Sequence, residues 1–306
     1  MRLILVFLAA AIPLLFHGNN VDAASCLSSS APVTLANEPD TDLVLDDTCT
    51  FPANTEYTYK SIVVTASARV TLEDAVVLSS ATSILVNAGA IIYVGTPTSQ
   101  VNSNNVKLVA NTTLTIYGTL DGEGRGYQNH IADGIPRRAG GSCQGFGGSH
   151  GGAGGGENSD LSQYGFFKYP LTRGSGGDNG AGAGGRGGAA VHLKAKGKIT
   201  IGNRQKRSDG TNDDTGSDDT GIRIKMDGSS GSGGYDYCYH RSYYYGGCSY
   251  CRRGGGGGGA GGSILIEGDS VEITGRLTAN GGKGAIGTSG NYNAQYAKCS
   301  GCEGEY

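Results

Sequence analysis

The clearest metal chemistry in this sequence belongs to a short run of aspartates. Five of them are spaced one to four residues apart among Gly, Thr, Ser and Asn, namely Asp209, Asp213, Asp214, Asp218 and Asp219. Carboxylate oxygens on a loop suit calcium, which takes about six to eight oxygen ligands. The spacing differs from the EF-hand pattern D-x-[DN]-x-[DN]-G. The run therefore predicts a solvated acidic loop or a weak calcium or mineral-surface site, and no other cofactor is expected.

Eight cysteines supply the second possible chemistry. They are Cys26, Cys49, Cys143, Cys238, Cys248, Cys251, Cys299 and Cys302. An even number favours disulfides when a chain is secreted, and the first pairing we expect is Cys26 with Cys49, which would close an N-terminal loop. The pairs Cys248-Ser-Tyr-Cys251 and Cys299-Ser-Gly-Cys302 would alternatively suit zinc held by four thiolates. We prefer disulfides, and the sequence leaves their connectivity open.

Tyrosines are concentrated in Tyr235–Tyr250, which holds seven of the 17 in the chain. Tyrosines among glycine and serine can stack, form hydrogen bonds or be oxidised into cross-links. Tyr243, Tyr244 and Tyr245 are the candidate cross-linking residues. Alternatively, the stretch forms a surface loop tied by disulfides.

Two short motifs predict modification in the secretory route. Arg204-Gln-Lys206-Arg207 matches the R-x-K-R pattern read by furin-like processing proteases and lies in an insertion that we expect to be exposed. The alternative is an ordinary basic loop. Asn111-Thr-Thr is the glycosylation sequon, and we place it at a turn.

The N-terminus predicts secretion. Arg2 precedes the apolar run Leu3–Phe16, and small residues follow that suit cleavage after Ala23. Pro13 interrupts the run, which is shorter than the 18 or more residues that a membrane span needs. We therefore expect an extracellular, matrix-associated protein. A net charge of −3 favours neither nucleic acid nor an anionic membrane as partner.

Short strands are the elements that must position these groups. Pairs of apolar residues alternate with polar ones along Ser61–Val94, at Ile62/Val64, Val70/Leu72, Ile84/Val86 and Ile91/Tyr93. Three copies of one longer pattern begin at Val106, Val191 and Ile264 and place Asp121 and Asp227 at equivalent corners. A β-helix needs such one-sided apolar strands because its coils stack above and below each other. A β-sandwich is the alternative.

Glycine sets the second half of the chain apart. Of 56 glycines, 53 lie in Gly118–Gly304, with runs at Gly140–Gly156, Gly174–Gly188 and Gly254–Gly262. Ordering glycine costs backbone entropy, so such runs form regular structure only when close backbone approach compensates for it. Two interpretations remain open: mobile linkers leaving the corners, or segments packed against the strands or a neighbouring molecule.

The glycine clusters and the strands after them resemble a known family. Gly254–Gly262 followed by Ser263–Gly282, with Leu277-Thr-Ala-Asn-Gly-Gly at its end, is similar to the glycine-rich parallel β-helix repeats of secreted and cell-surface proteins. Tyr164-Gly165 through Pro170, then Gly174-Ser-Gly-Gly, is a second matching piece. The resemblance covers about Asn105 to Gly287 and departs at the insertion Asn203–Thr220 and the tyrosine/cysteine cluster. It implies a scaffold of structural or adhesive type and supplies no catalytic motif.

These observations predict an all-β chain, a right-handed parallel β-helix with glycine-rich, disulfide-tied loops. The expected organisation is a signal peptide over 1–23, an N-terminal β-solenoid over 24–139 and glycine-rich repeats over 140–306. We expect no enzyme, because His130, His150, His192 and His240 have no serine or cysteine at a recognisable catalytic spacing.

The predicted function is a secreted structural component of an extracellular matrix of the shell, cuticle, cell-coat or adhesive type. It would self-associate through its glycine- and tyrosine-rich loops, with matrix proteins or polysaccharide as partners. The alternative is a secreted module that binds calcium, mineral or polysaccharide.

Overall fold

Within the described residues the chain is all-β. The computed structural model describes residues 38–96, 105–128, 131–132, 135–136, 147–150, 165, 168–179, 182–202, 222–233, 237–238, 251–252 and 255–285, and these contain strands and no helix. Accordingly, they include no helix with the length and hydrophobicity of a membrane span.

Three parallel sheets contain most of the strands. The first comprises Leu43–Leu45 (β1), Ile62–Val64 (β4), Ser83–Val86 (β7), Thr113–Ile116 (β10), Lys198–Ile201 (β15) and Ser270–Ile273 (β20). The second comprises Thr48–Phe51 (β2), Arg69–Leu72 (β5), Ile91–Val94 (β8), Thr119–Asp121 (β11), Ile222–Lys225 (β16) and Arg276–Thr278 (β21). The third comprises Glu56–Tyr59 (β3), Val77–Ser80 (β6), Val106–Ala110 (β9), Ala190–Ala195 (β14) and Ser263–Glu267 (β19).

Two short antiparallel pairs lie outside these sheets. Ile131–Ala132 (β12) pairs with Ile135–Pro136 (β13), and Tyr237–Cys238 (β17) pairs with Cys251–Arg252 (β18).

Strands that follow one another along the chain belong to different large sheets. Once the chain has contributed a strand to each of the three sheets it returns to the same sheets, and its new strands pair in parallel with the earlier ones. We call one strand from each sheet, in the chain order third, first, second, a rung; the last two rungs are β14–β16 and β19–β21. The alternative fold, a β-sandwich, would pair sequence neighbours in antiparallel hairpins, and no such hairpin occurs among the described strands of these sheets. The sheets also continue across residue 139, because β14 pairs with β9.

The core lies on the inward face of all three sheets, where apolar side chains of successive rungs align. Ile84, Leu114 and Ile199 are in direct register and at most 1% exposed. Strands with this alternation bury one face and leave the other polar. The predicted burial of Ile62/Val64, Val70/Leu72 and Ile84/Val86 is confirmed.

The predicted face of β8 is wrong. Ile92 and Val94, rather than Ile91 and Tyr93, point inward, and they are 1% and 0% exposed. Four consecutive apolar residues carry no alternation of their own, so the register decides, and it pairs Ile92 with buried Val70. Tyr93 instead lies beneath the guanidinium of Arg125, 4.6 Å from Cζ to the ring centre.

The repeat alignment is confirmed at its start and wrong at its end. Val106 pairs with Val191, which pairs with Ile264. In the second copy, however, Asp121 pairs with Lys225, so Asp227 lies two residues past the position equivalent to Asp121. The insertion Asn203–Thr220 interrupts the second copy, so the sequence alone does not show at which residue the pattern resumes.

The two ends of the stack differ. In β1 and β2 the inward residues Leu43, Leu45 and Phe51 are fully buried. In β20 the inward residues Val271 and Ile273 are 45% and 44% exposed, and no described strand pairs with the outer edge of β20. The last rung therefore leaves part of its apolar face uncovered.

Candidate functional site: the glycine segments and the polar groups beside them

Five glycine-rich segments accompany the last rungs. They are residues 174–178, 183–189, 226–232, 256–262 and 279–285, which we call the glycine segments. Segment 183–189 leads into β14 and 226–232 follows β16, while 256–262 leads into β19 and 279–285 follows β21. The chain thus enters and leaves each of these rungs through a glycine segment.

Backbone hydrogen bonds join the glycine segments at every third residue. In segment 256–262 the amides of Gly256, Gly259 and Gly262 donate to the carbonyl oxygens of Ser232, Ser229 and Met226, over 2.9, 3.0 and 2.7 Å. The amides of Gly257 and Ala260 donate to Asp178 and Ser175 on another side, over 2.9 and 2.8 Å. A period of three matches the three residues per turn of a polyproline II helix, whose backbone groups are free to bond to neighbours.

The approach between these backbones leaves no room for a side chain at key positions. A Cβ on Gly187 would lie 1.8 Å from the carbonyl oxygen of Gly174, and one on Gly262 would lie 1.7 Å from that of Ala189. Both contacts are with backbone, which cannot move aside as a flexible side chain can. Of the two interpretations left open by the sequence, packed segments describe these residues and linkers do not.

A buried arginine ties the glycine segments to the earlier rungs. Arg173 precedes segment 174–178 and is fully buried, and its Nη2 donates to Oδ1 of Asp74 over 2.6 Å. Its Nη1 donates to the carbonyl oxygens of Thr96 and Arg125 over 3.1 and 3.3 Å. Asp74 also accepts from the amide and hydroxyl of Thr96 over 2.8 and 2.9 Å. Because a buried charge needs such partners, this cluster fixes where the first glycine segment lies.

One histidine has a serine neighbour that its sequence spacing did not reveal. Nε2 of His150 lies 2.8 Å from Oγ1 of Thr172 and 3.3 Å from Oγ of Ser263. Ser263 is 3% exposed and donates its hydroxyl proton to the carbonyl oxygen of Thr172. Through these contacts the buried Ser263 hydroxyl links three chain segments.

Opposite charges pair across the outward faces of the last two rungs. Oε2 of Glu267 lies 3.0 Å from Nε2 of His192 and 3.3 Å from Nζ of Lys194, and these contacts lower the pKa of Glu267, with the His192 hydrogen bond the largest cause. Lys198 likewise lies 2.5 Å from Glu272, and its hydrogen bond lowers the pKa of that carboxyl. The two lysines are exposed, so their ion pairs add little to stability.

A lysine on the second sheet carries the same kind of pair. Lys225 contacts Glu123, and that hydrogen bond is the largest cause of the raised pKa of Lys225. Asp121 and Asp227, once aligned as equivalent corners, both add to this shift by their charges. In this structure both carboxylates therefore act on the charge of Lys225.

A buried tyrosine lies at the other end of the stack. Tyr59 is fully buried, and its hydroxyl has no hydrogen-bond partner among the described residues. Burial, followed by the charge of Glu38, raises the pKa of Tyr59 to about 12. Nothing in the sequence distinguished this tyrosine from the others.

Few of the sequence-predicted site residues fall within the described part of the chain. Asn111 is exposed between β9 and β10, at the turn where it was predicted. Cys49 is buried and disulfide-bonded. The predicted partner, Cys26, lies outside the described residues, so that pairing stays a prediction.

The other predicted groups also lie outside the described residues. They are the signal peptide over 1–23, the processing residues Arg204, Lys206 and Arg207, the five aspartates of the acidic run, Tyr243 to Tyr245, and Cys143, Cys248, Cys299 and Cys302. Within the described ranges, no group of three or more His, Cys, Asp or Glu residues could hold a metal ion.

Comparison with protein-family models, curated proteins and solved structures found no match for this chain. Its function is therefore inferred from the packing and chemistry of the described residues.

Proposed function

We propose that this chain is a secreted structural component of an extracellular matrix. The observation that carries the proposal is the packing of the glycine segments, whose amides bond to neighbouring backbones at every third residue. The unusual composition is thereby used for dense backbone packing. Structural proteins commonly use glycine in this way, because only glycine lets backbones approach so closely.

In this proposal the three sheets form a right-handed parallel β-helix. The order in which the chain visits the sheets supports a solenoid, because each passage contributes one strand to each sheet in turn. Right-handed winding is supported by the general preference of crossovers between parallel strands. A solenoid buries its core only between stacked rungs, and this makes it a stiff rod suited to a scaffold.

The polar groups described above support a structural assignment over an enzymatic one. Arg173 is enclosed by Asp74 and carbonyl oxygens, and Ser263 is enclosed beside His150. Catalytic groups must reach a substrate, whereas Arg173 and Ser263 are at most 3% exposed. Their role in the proposal is to hold chain segments together.

The test is fractionation of the native source with an antibody against the whole chain. We expect to find the protein in insoluble extracellular material, and we expect its release to require denaturant or reductant. The mass of the mature protein should correspond to a chain that begins at Ala24. A triple Tyr243/Tyr244/Tyr245→Phe variant keeps the aromatic rings but removes the phenols that oxidative cross-linking needs, so it should be extracted more easily.

Two results would contradict the proposal. One is a freely soluble protein that turns over polysaccharide. The other is a soluble protein that binds calcium or polysaccharide and loses this binding in an Asp213/Asp214/Asp218/Asp219→Asn variant, which would favour the binding module instead.

A further inference from the structure

The short hairpin β17–β18 brings two cysteines of the chain opposite each other. Tyr237 pairs with Arg252 and Cys238 pairs with Cys251 in antiparallel register. The sequence had left the connectivity of the eight cysteines open, and this register distinguishes one pair.

We propose that Cys238 and Cys251 form a disulfide. Directly opposite residues of an antiparallel pair have Cα atoms about 4.5 or 5.5 Å apart. Disulfides usually join Cα atoms separated by about 4.4–6.8 Å. The backbone register therefore places both cysteines at a separation that a disulfide spans without moving the strands.

The same register argues against the other pairing that the local sequence offers. Cys248 and Cys251 form a CxxC motif, but the residue opposite Cys251 in the register of β17 and β18 is Cys238. If Cys251 bonds to Cys238, the two CxxC motifs can no longer supply the four thiolates of a zinc site.

The bond forms by thiol–disulfide exchange. The thiols of Cys238 and Cys251 lose two protons and two electrons as their S–S bond forms, and the disulfide of a secretory-pathway oxidoreductase accepts them and becomes two thiols. The buried disulfide-bonded Cys49 is independent support that this chain is oxidised.

The consequence for function is a closed ring at the tyrosine cluster. The bond would enclose residues 239–250, which contain five tyrosines. Closing a loop reduces the conformations open to its residues, so the disulfide would restrict the conformations of this tyrosine-rich stretch. This consequence rests on the proposed matrix function, but the bond itself does not.

The experiment is peptide mapping of the secreted full-length protein without reduction, after blocking free thiols. Trypsin cleaves after Lys225, Arg241 and Arg252, so Cys238 lies in Met226–Arg241, while Cys248 and Cys251 share Ser242–Arg252. We expect these two peptides to be found as one linked species that separates on reduction.

Two single variants identify which cysteine of the second peptide takes part. The link should persist in Cys248→Ser and disappear in Cys251→Ser. A link that survives in Cys251→Ser, a link from Cys238 to any other peptide, or blocked thiols at both positions would overturn the assignment. Because the map reads the bond directly, its outcome is independent of whether the protein is found in a matrix.

Discussion

At the scale of single residues, polar groups inside the fold are more informative than the exposed motifs. Arg173 is fully buried yet charged, and Tyr59 is fully buried with its hydroxyl unpaired among the described residues. Arg173 has several partners, whereas the Tyr59 hydroxyl has none within the described part of the chain, so replacing them should have opposite effects. A buried polar group stabilises a fold only when its hydrogen bonds are satisfied.

Replacing Tyr59 with phenylalanine should be neutral or stabilising at pH 7, because it removes a buried unpaired hydroxyl. The variant should also resist alkali better. The pKa of Tyr59 is about 12 in the fold and 10.0 ordinarily, so ionisation of Tyr59 does not change the stability of the fold below pH 10. Above pH 10 Tyr59 ionises more easily in the unfolded chain, so the fold loses stability as the pH rises toward 12, by on the order of 2–3 kcal/mol.

The measurement is urea unfolding of the wild-type chain and the Tyr59→Phe variant from pH 8 to 12. The difference in unfolding free energy should grow in favour of the variant above pH 10. A difference that stays constant with pH would show that Tyr59 ionises as easily in the fold as in the unfolded chain.

Replacing Arg173 with methionine should destabilise the protein by about 3–5 kcal/mol, because it leaves Asp74 without its cation and frees two carbonyl oxygens. The control is Arg186→Met, at an exposed position of a glycine segment, which should change the unfolding free energy by less than about 0.5 kcal/mol. Equal effects of the two changes would contradict a special role for the buried pair.

At the scale of elements, the glycine segments and the strands follow different packing rules. Strands stack side chain on side chain, so their substitutions are felt as lost core volume. Glycine segments pack backbone against backbone, so the effect of replacing a glycine by alanine depends on the space around that glycine. Each packing rule can be tested with a matched pair of substitutions in this chain.

For the glycine segments the pair is Gly187→Ala and Gly281→Ala. A Cβ at Gly187 would lie 1.8 Å from a backbone oxygen, whereas at Gly281 the nearest atom is 3.6 Å away. Gly187→Ala should cost at least about 1–3 kcal/mol. Gly281→Ala should be neutral or stabilising by up to about 1 kcal/mol, because alanine has less freedom in the unfolded chain. Thermal unfolding compares them, and equal midpoints would mean that the segments are not packed.

For the strands the pair is Ile201→Ala and Ile273→Ala, two residues in direct register on adjacent rungs. Ile201 is fully buried and Ile273 is 44% exposed. We expect a loss of about 2–5 kcal/mol for the first change and about 1 kcal/mol or less for the second. Denaturant unfolding measures both. Similar losses would mean that Ile273 is covered in solution.

The sequence could predict the strands but not the contacts that lock them together. Alternation at Ile84 and Val86 and the repeats starting at Val106, Val191 and Ile264 depend on local order, which sequence records directly. The same rule could not predict the inward face of Ile91–Val94, because four consecutive apolar residues show no alternation.

Contacts between distant residues left no local pattern to read. Arg173 meets Asp74 across 99 residues of sequence, and Ser263 meets His150 across 113. Nothing near either residue identifies its partner, because the stacking of rungs and glycine segments creates the contact. For the same reason the glycine runs could be interpreted as linkers until their three-residue hydrogen-bond period was seen.

At the scale of the whole molecule, the stacked strands and the glycine segments are parts of one hydrogen-bonded arrangement. Each of the last two rungs is continued by glycine segments at both ends, and the segments bond to one another as the strands do. In such a stack each rung is stabilised mainly by the rungs beside it, so loss of one rung should weaken its neighbours. This is the behaviour expected of a scaffold.

Hydrogen–deuterium exchange of the folded chain, read by mass spectrometry, tests this account most directly. Amides in segments 183–189 and 256–262 should be protected to nearly the same extent as those of β14 and β15, because most of them donate to carbonyl oxygens of neighbouring chain segments. Exchange of these glycine amides at the rate of an unfolded chain, with β14 and β15 still protected, would contradict the account and restore the linker interpretation.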